Sequence, residues 1–180
     1  MGKNSQEIRI GDVDLYLDLH DGTGEQSLGY TKGGVTFTIE REFADLTVDE
    51  FGSAPLDKAL TGHKVMIKAI LAQPSNVNLA LAIPEGLSAH TALDSKAGFG
   101  TKAGKLLSTL AGELRMHPRA NTPSNRNEDV YIWKAVSVEN IELGYKIDDQ
   151  RTLEVTFEGL VDTTQPDGQL LGRVGDSAIS

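Results

Sequence analysis

Apolar and polar residues alternate along much of this chain. "VDLYLDL" sets Val13, Leu15, Leu17 and Leu19 on one side and Asp14, Tyr16 and Asp18 on the other. That period of two is the mark of a half-buried strand. "GVTFTIEREF" repeats it, with Val35, Phe37, Ile39 and Phe43 opposite Thr36, Thr38, Glu40 and Glu42; Arg41 is the one charge on the apolar side. "RTLEVTFEGLVD" is the cleanest case, Leu153, Val155, Phe157 and Val161 against Glu154, Thr156, Glu158 and Asp162. "HKVMIKAILA" (63–72) holds Val65, Ile67, Ala69 and Leu71 in one register; its β-branched residues favour strand, with helix as the alternative. "KLLSTLAGELRM" (105–116) fits either. "DVYIWKAVSV" and "ENIELGYKID" read as strands, with a shift of apolar parity near Glu139–Asn140 that predicts a turn or bulge.

One segment breaks the alternation toward a helix. In "PSNVNLALAIPEG", Ser75 is an N-cap candidate after Pro74, Val77, Leu79, Ala80 and Leu81 fall within two turns, and Pro84 ends the run. Residues 86–104 and 117–129 read as linkers. The predicted fold is therefore mainly β: an antiparallel sandwich or barrel with one short flanking α-helix over about 74–83, plus extended loops and arms. The chain reads as a single domain, 1–180, with an N-terminal segment 1–12, a loop 44–62 and a C-terminal arm 166–180. Within the loop, "VDEFGSAPLDKALTG" (48–62) is unexpectedly apolar for a solvent segment. In the arm, Leu170, Leu171 and Val174 have no obvious core to join.

Composition narrows the chemistry. The 180 residues include no cysteine, which removes disulfides and thiolate metal sites. His20, His63, His90 and His117 are scattered without metal-ligand spacing. "GFGTKAGKLL" fails as a phosphate loop, because only three residues separate Gly100 from Gly104 and Leu106 stands where a hydroxyl should. Glu128–Asp129 and Asp148–Asp149 are adjacent pairs, which a strand would point to opposite faces. No nucleophile motif is present. Expectation is therefore against an enzyme and against any cofactor or metal. No apolar run reaches membrane-spanning length, and the start has no signal-peptide core, so cytoplasmic synthesis is expected. The net charge of −9 argues against binding nucleic acid through its phosphates. It is unevenly spread: residues 1–60 carry 5 basic and 12 acidic groups, 61–120 carry 7 and 3, and 121–180 carry 5 and 11.

Residues 28–86 hold an ordered series: Leu28–Gly29, Gly33–Gly34 leading into an acidic-faced strand, Val48–Asp49, Gly52, Pro55, Asp57, Thr61–Gly62, a strand ending Leu71–Ala72, Gln73 where a glutamate is common, and Asn78–Leu79 in a short helix. In this order and spacing, about a third of the chain resembles the tail tube (major tail) proteins of long-tailed bacteriophages, with a preference for the non-contractile kind. The resemblance implies a structural subunit of the virion that stacks as homohexameric rings into a hollow tube. The other expected partners are the tape measure, tail terminator and tail tip. Genomic DNA would pass through the lumen without specific binding.

On that reading the apolar loop contacts a neighbouring subunit, through Asp49, Phe51, Pro55, Leu56 and Leu60, since orphan apolar residues mark interfaces. Leu170, Leu171 and Val174 make arm contacts. The termini are expected to be weakly ordered until rings stack. The strands with carboxylates separated by threonine suggest Glu40, Glu42, Glu154 and Glu158 as the lumen lining, where they would repel phosphate. The other reading open to the residues is a monomeric, soluble β-sandwich that binds a carbohydrate or protein ligand. Aromatics at 6%, with one Trp, give little platform for a sugar.

Overall fold

A computed structural model describes residues 11–176 apart from 21, 23, 84–98, 101–102, 144, 146–147 and 149. The expected segment 1–12 therefore lies outside the described residues except for its last two, and so does the end of the arm, 177–180.

Among the described residues, eight strands form one antiparallel sheet: β1 (Val13–Asp18), β2 (Gln26–Ser27), β3 (Thr31–Thr47), β4 (Pro55–Leu71), β5 (Gly112–Pro118), β6 (Val130–Ser137), β7 (Leu153–Leu160) and β8 (Gly172–Val174). Their order is β2-β1-β5-β6-β7-β4-β3, with β8 on β6. β7 and β8 share β6 between them: β7 pairs with Lys134–Ser137 and β8 with Val130–Ile132.

The predicted alternation sets the core. Leu15 and Leu17 of β1, Val65, Ile67, Ala69 and Leu71 of β4, and Leu153, Val155 and Phe157 of β7 join one buried cluster with Leu114 and Ile132. Burial of each large side chain contributes roughly 1.5–3 kcal/mol. Between Gly112↔Ala135 and Leu114↔Ile132, β6 spends three residues against two on β5. This bulge lets Ile132 and Ala135, of opposite parity, both face the core. The sheet curls so that its edges approach. Leu28 N donates to Leu15 O at 2.9 Å and Ala72 N to Tyr30 O at 2.7 Å. Residues 28–30 thus step from β1 to the β3–β4 edge and partly close a barrel.

The helix α1 (Asn76–Ala82) lies within the predicted 74–83, and Ser75 accepts the capping bond from Asn78 N at 3.1 Å. Its inner face adds Leu81 and Ala82 to the core. Asn78 is buried with its amide satisfied, donating to two backbone carbonyls, Leu28 O at 2.9 Å and Gln73 O at 2.8 Å.

The run 105–116, open between strand and helix, resolves as a 3-10 turn at Leu107–Thr109 followed by β5, which continues to Pro118, into the expected linker. Two expectations change. The described residues of "ENIELGYKID" form no strand; their one ladder contact is Leu143↔Leu153. The arm is not detached. From residue 166 to 176 it returns along the sheet, with Leu170 O accepting from Asp162 N and Leu171 O from Trp133 N, and Gly172–Val174 adding β8. Leu171 packs on the core, Leu170 is half-buried, and only Val174 is largely exposed. Gly172 permits this docking, since any Cβ there would collide with Tyr131 O. The sequence hid it because β8 has only three residues and borrows its partner, β6, from forty residues away.

Asn78→Ala takes a donor from Leu28 O and from Gln73 O, the latter keeping Ser75 N at 2.8 Å. The expected loss is about 2–3 kcal/mol, read as a lower urea midpoint at unchanged slope.

Candidate assembly surfaces

β3 and β4 pair over seventeen residues each, from Thr31↔Leu71 to Thr47↔Pro55. β4 meets β7 only over Met66–Leu71. Beyond that point the two strands run on as a lone ribbon, roughly 25 Å of chain at ~3.3 Å per residue. Every residue from Ile39 to Thr61 is exposed. The expected loop 44–62 is thus mostly strand, with only 48–54 forming the turn, which includes the 3-10 turn Asp49–Phe51. Strand pairing won because apolar and charged partners match across it: Phe43↔Leu60, and Asp45↔Lys58 with an ion pair of 2.7 Å. The register shift between Glu42 and Phe43 leaves Thr61 as the extra residue, which turns Leu60 to the side of Phe43. Asp49, Phe51, Pro55 and Leu56 come together around the tip, with Leu60 partway down the ribbon. Phe51 is 60% exposed and Leu56 65%.

The four candidate lumen carboxylates share one face of the sheet, opposite the core. Register places Glu40 beside Lys64, Glu42 beside Gly62, and Met66 beside Glu158. The face is not purely acidic. Lys64 Nζ pairs with Glu158 at 3.0 Å and Lys68 Nζ with Glu154 at 2.6 Å. Those hydrogen bonds hold both ammonium groups above the usual lysine range. Glu139 joins the face, accepting from Thr156 Oγ1 at 2.6 Å, so Thr156 is buried rather than part of an open polar wall. Five carboxylates against two lysines leave this face net acidic. Asp14 and Asp18 lie elsewhere, on β1. Asp14 is bound by Arg119 Nε at 2.7 Å, and Asp18 caps His20 N at 2.7 Å.

A buried charge cluster went unread in the sequence. Arg115 stands on the outer side of β5, in register with Tyr16 and Tyr131. Its Nε and Nη2 donate to the two oxygens of Glu25 at 2.8 and 2.6 Å, and its Nη1 to Asp129 at 3.0 Å. Asp129, 0% exposed, also meets His117 Nδ1 at 2.6 Å. The Arg115 guanidinium lies 4.2 Å from the Tyr16 ring centroid, a cation–π contact. An imidazole against a carboxylate can serve as a general base. Here both are buried and Arg115 holds the other carboxylate oxygen, so the cluster ties the turns at 25 and 129 to β5. Its sequence signal is the placing of Arg115 and His117 on the side of β5 opposite Leu114. Near the arm, Asp162 accepts from Lys134 and Thr164, which keep its carboxyl far below the ordinary aspartate range. Among the described residues no cluster of three metal-ligating side chains exists, and no helix is long and apolar enough to cross a membrane.

No family model and no curated protein matches the chain. Its structure is similar to a chain from the tail of an empty gene transfer agent particle, solved by helical refinement with C6 symmetry. The match covers 87% of this chain and 93% of the other, with a TM-score of 0.50 and 11% identity. This chain has the fold of that tail protein. A chain from the virion of a native gene transfer agent particle matches over the same shares at 10% identity and a TM-score of 0.46.

Removing Arg115 takes the guanidinium from the buried Asp129 carboxylate and leaves it only His117 among its side-chain partners. Arg115→Leu should cost about 3–5 kcal/mol, measured by urea unfolding. The Glu25 carboxyl is held below its usual value chiefly by the Arg115 hydrogen bond. A depressed carboxyl adds stability that is full above its unfolded value, about 4.3, and is lost as pH falls through the lower folded value. The thermal midpoint should therefore drop below about pH 4, and less steeply in Glu25→Gln.

Proposed function

We propose that this chain is the tube-forming subunit of a phage-like tail, polymerising as stacked rings of six around a channel for DNA. The observation that carries this is the ribbon of β3 and β4. A two-stranded hairpin without a third strand or a packed face is marginal in water, and this one displays Ile39, Phe43, Leu46, Phe51, Leu56 and Leu60 to solvent. Those side chains are matched by a neighbour in a polymer, where each contact is repeated at every subunit. The fold shared with a gene transfer agent tail of C6 symmetry supports the ring of six. The tape measure, terminator and tip proteins of such a tail are its further partners, and the virion is its place.

The carboxylate face of Glu40, Glu42, Glu154 and Glu158 lines the channel. Lys64 and Lys68 are neutralised within it by their glutamate partners, so the wall repels phosphate without being saturated with like charge. Val161, on the other side of β7, is no part of this wall.

Two experiments test the reading. Phe51→Ala with Leu56→Ala should leave the subunit folded and abolish tubes in negative stain; tubes of normal length would overturn the ribbon's role. An unaltered chain that stays monomeric at high concentration would overturn the tube itself. For the channel, Glu40→Lys with Glu42→Lys spares the Lys64–Glu158 and Lys68–Glu154 pairs. It should slow DNA ejection from assembled particles at low salt. The delay should fade near 1 M salt, where screening shortens to about 3 Å.

A further inference from the structure

On the core side of the sheet, where β4 leaves β7, a groove of about 690 Å³ opens between the ribbon and the returning C-terminal segment. Ile39, Val65, Val161 and Leu170 line it, with Arg41 and His63 at its ribbon wall. Ile39 and Val161 are half exposed inside it. A space of this size lies within the ~300–1,000 Å³ range of pockets that enclose a small ligand. It has room for an aromatic and an aliphatic side chain together. Arg41 explains itself here: the one charge on the apolar side of β3 stands at the mouth of an apolar groove, with no carboxylate among the residues that line it.

The geometry points to a second copy of this chain as the occupant: the ribbon tip of one subunit, Phe51 and Leu56 with Asp49 and Glu50, seats in the groove of the next, against Ile39, Val161 and Leu170 with Arg41 and His63. This rests on the tube reading above and names the socket for its ribbon. Three observations favour it. Charge is complementary, since residues 48–57 hold Asp49, Glu50 and Asp57 and no lysine or arginine, while the groove offers Arg41 and His63. Reach excludes the chain's own tip. The two strands stay paired, through two bulges, from the groove at Ile39↔Val65 to Thr47↔Pro55, so Phe51 stands roughly 25 Å away along the ribbon. Polarity fits as well, because tip and groove are different patches. A contact between unlike patches propagates into rings or filaments, whereas a self-matching patch stops at a dimer.

The absence of cysteine makes the test clean. Phe51→Cys with Val161→Cys, assembled and then oxidised, should give a ladder of disulfide-linked multimers that each single variant lacks. An intrachain bond is out of reach, since bridged Cα atoms lie within about 7 Å. Mixing the two single variants should give a linked dimer. In parallel, Arg41→Glu should abolish pelletable polymer, and adding Asp49→Lys and Glu50→Lys to the same chain should restore it. Tubes that assemble without the ladder, or a charge swap that does not restore polymer, overturn the socket and leave the tube standing. An unaltered chain that forms no polymer overturns both.

Discussion

The pairing of β3 with β4 is the contact on which the rest depends. Within the body it forms the edge of the sheet, and its inner residues, Val65 to Leu71, supply much of the core. Past Met66 the same ladder continues without a third strand. One hairpin therefore belongs to two environments. Its base is held by burial, its outer half only by cross-strand hydrogen bonds and pairs such as Asp45–Lys58. Outer-half stability is local and low, and contact with another molecule is the natural way to raise it.

The body anchors that ribbon by closing on itself. Residues 28–30 stitch β1 to the β3–β4 edge, Asn78 satisfies the Leu28 and Gln73 carbonyls beside the seam, and α1 covers it. On the outer side of β5, Arg115 binds Glu25 and Asp129 together, so two turns far apart in sequence move as one with the strand. A desolvated cluster of this kind contributes little net stability while complete and costs much when one member is removed. Its value is positional. The C-terminal return does the same on β6, where Trp133 Nε1 donates to Gln169 O at 2.7 Å and Arg173 lies over the Tyr131 and Trp133 rings.

The two faces of the β3–β4–β7 region divide the labour. One carries the paired and unpaired carboxylates, with Met66, Ile70, Leu46 and Leu160 as its large apolar groups. The other passes from buried core to the open groove and, beyond Arg41 and His63, on to Phe43 and Leu60. This split follows from strand parity, and the bulge at Thr61 keeps it intact by restoring Leu60 to the apolar side.

Sequence alone determined what depends on neighbours along the chain. Alternation marked β1, the inner half of β3, β4 and β7 and assigned their buried residues, because a strand's period of two is local. The Ser75 cap and Pro84 bounded α1 for the same reason. Parity also put Glu40 and Glu42 on one side of β3, and Glu154 and Glu158 on one side of β7. Only the tertiary structure joined those sides, through the register of β4 between them, and revealed Lys64 and Lys68 as their partners. It alone turned an apolar loop into a ribbon, since exposure and pairing of residues 44–62 depend on where β7 ends. It alone docked Leu171 and Gly172 on β6 and gathered Glu25, Arg115, His117 and Asp129. Such contacts span ninety positions and more, as between Glu25 and Arg115 or Lys64 and Glu158, and no local pattern encodes which distant strand a residue will face.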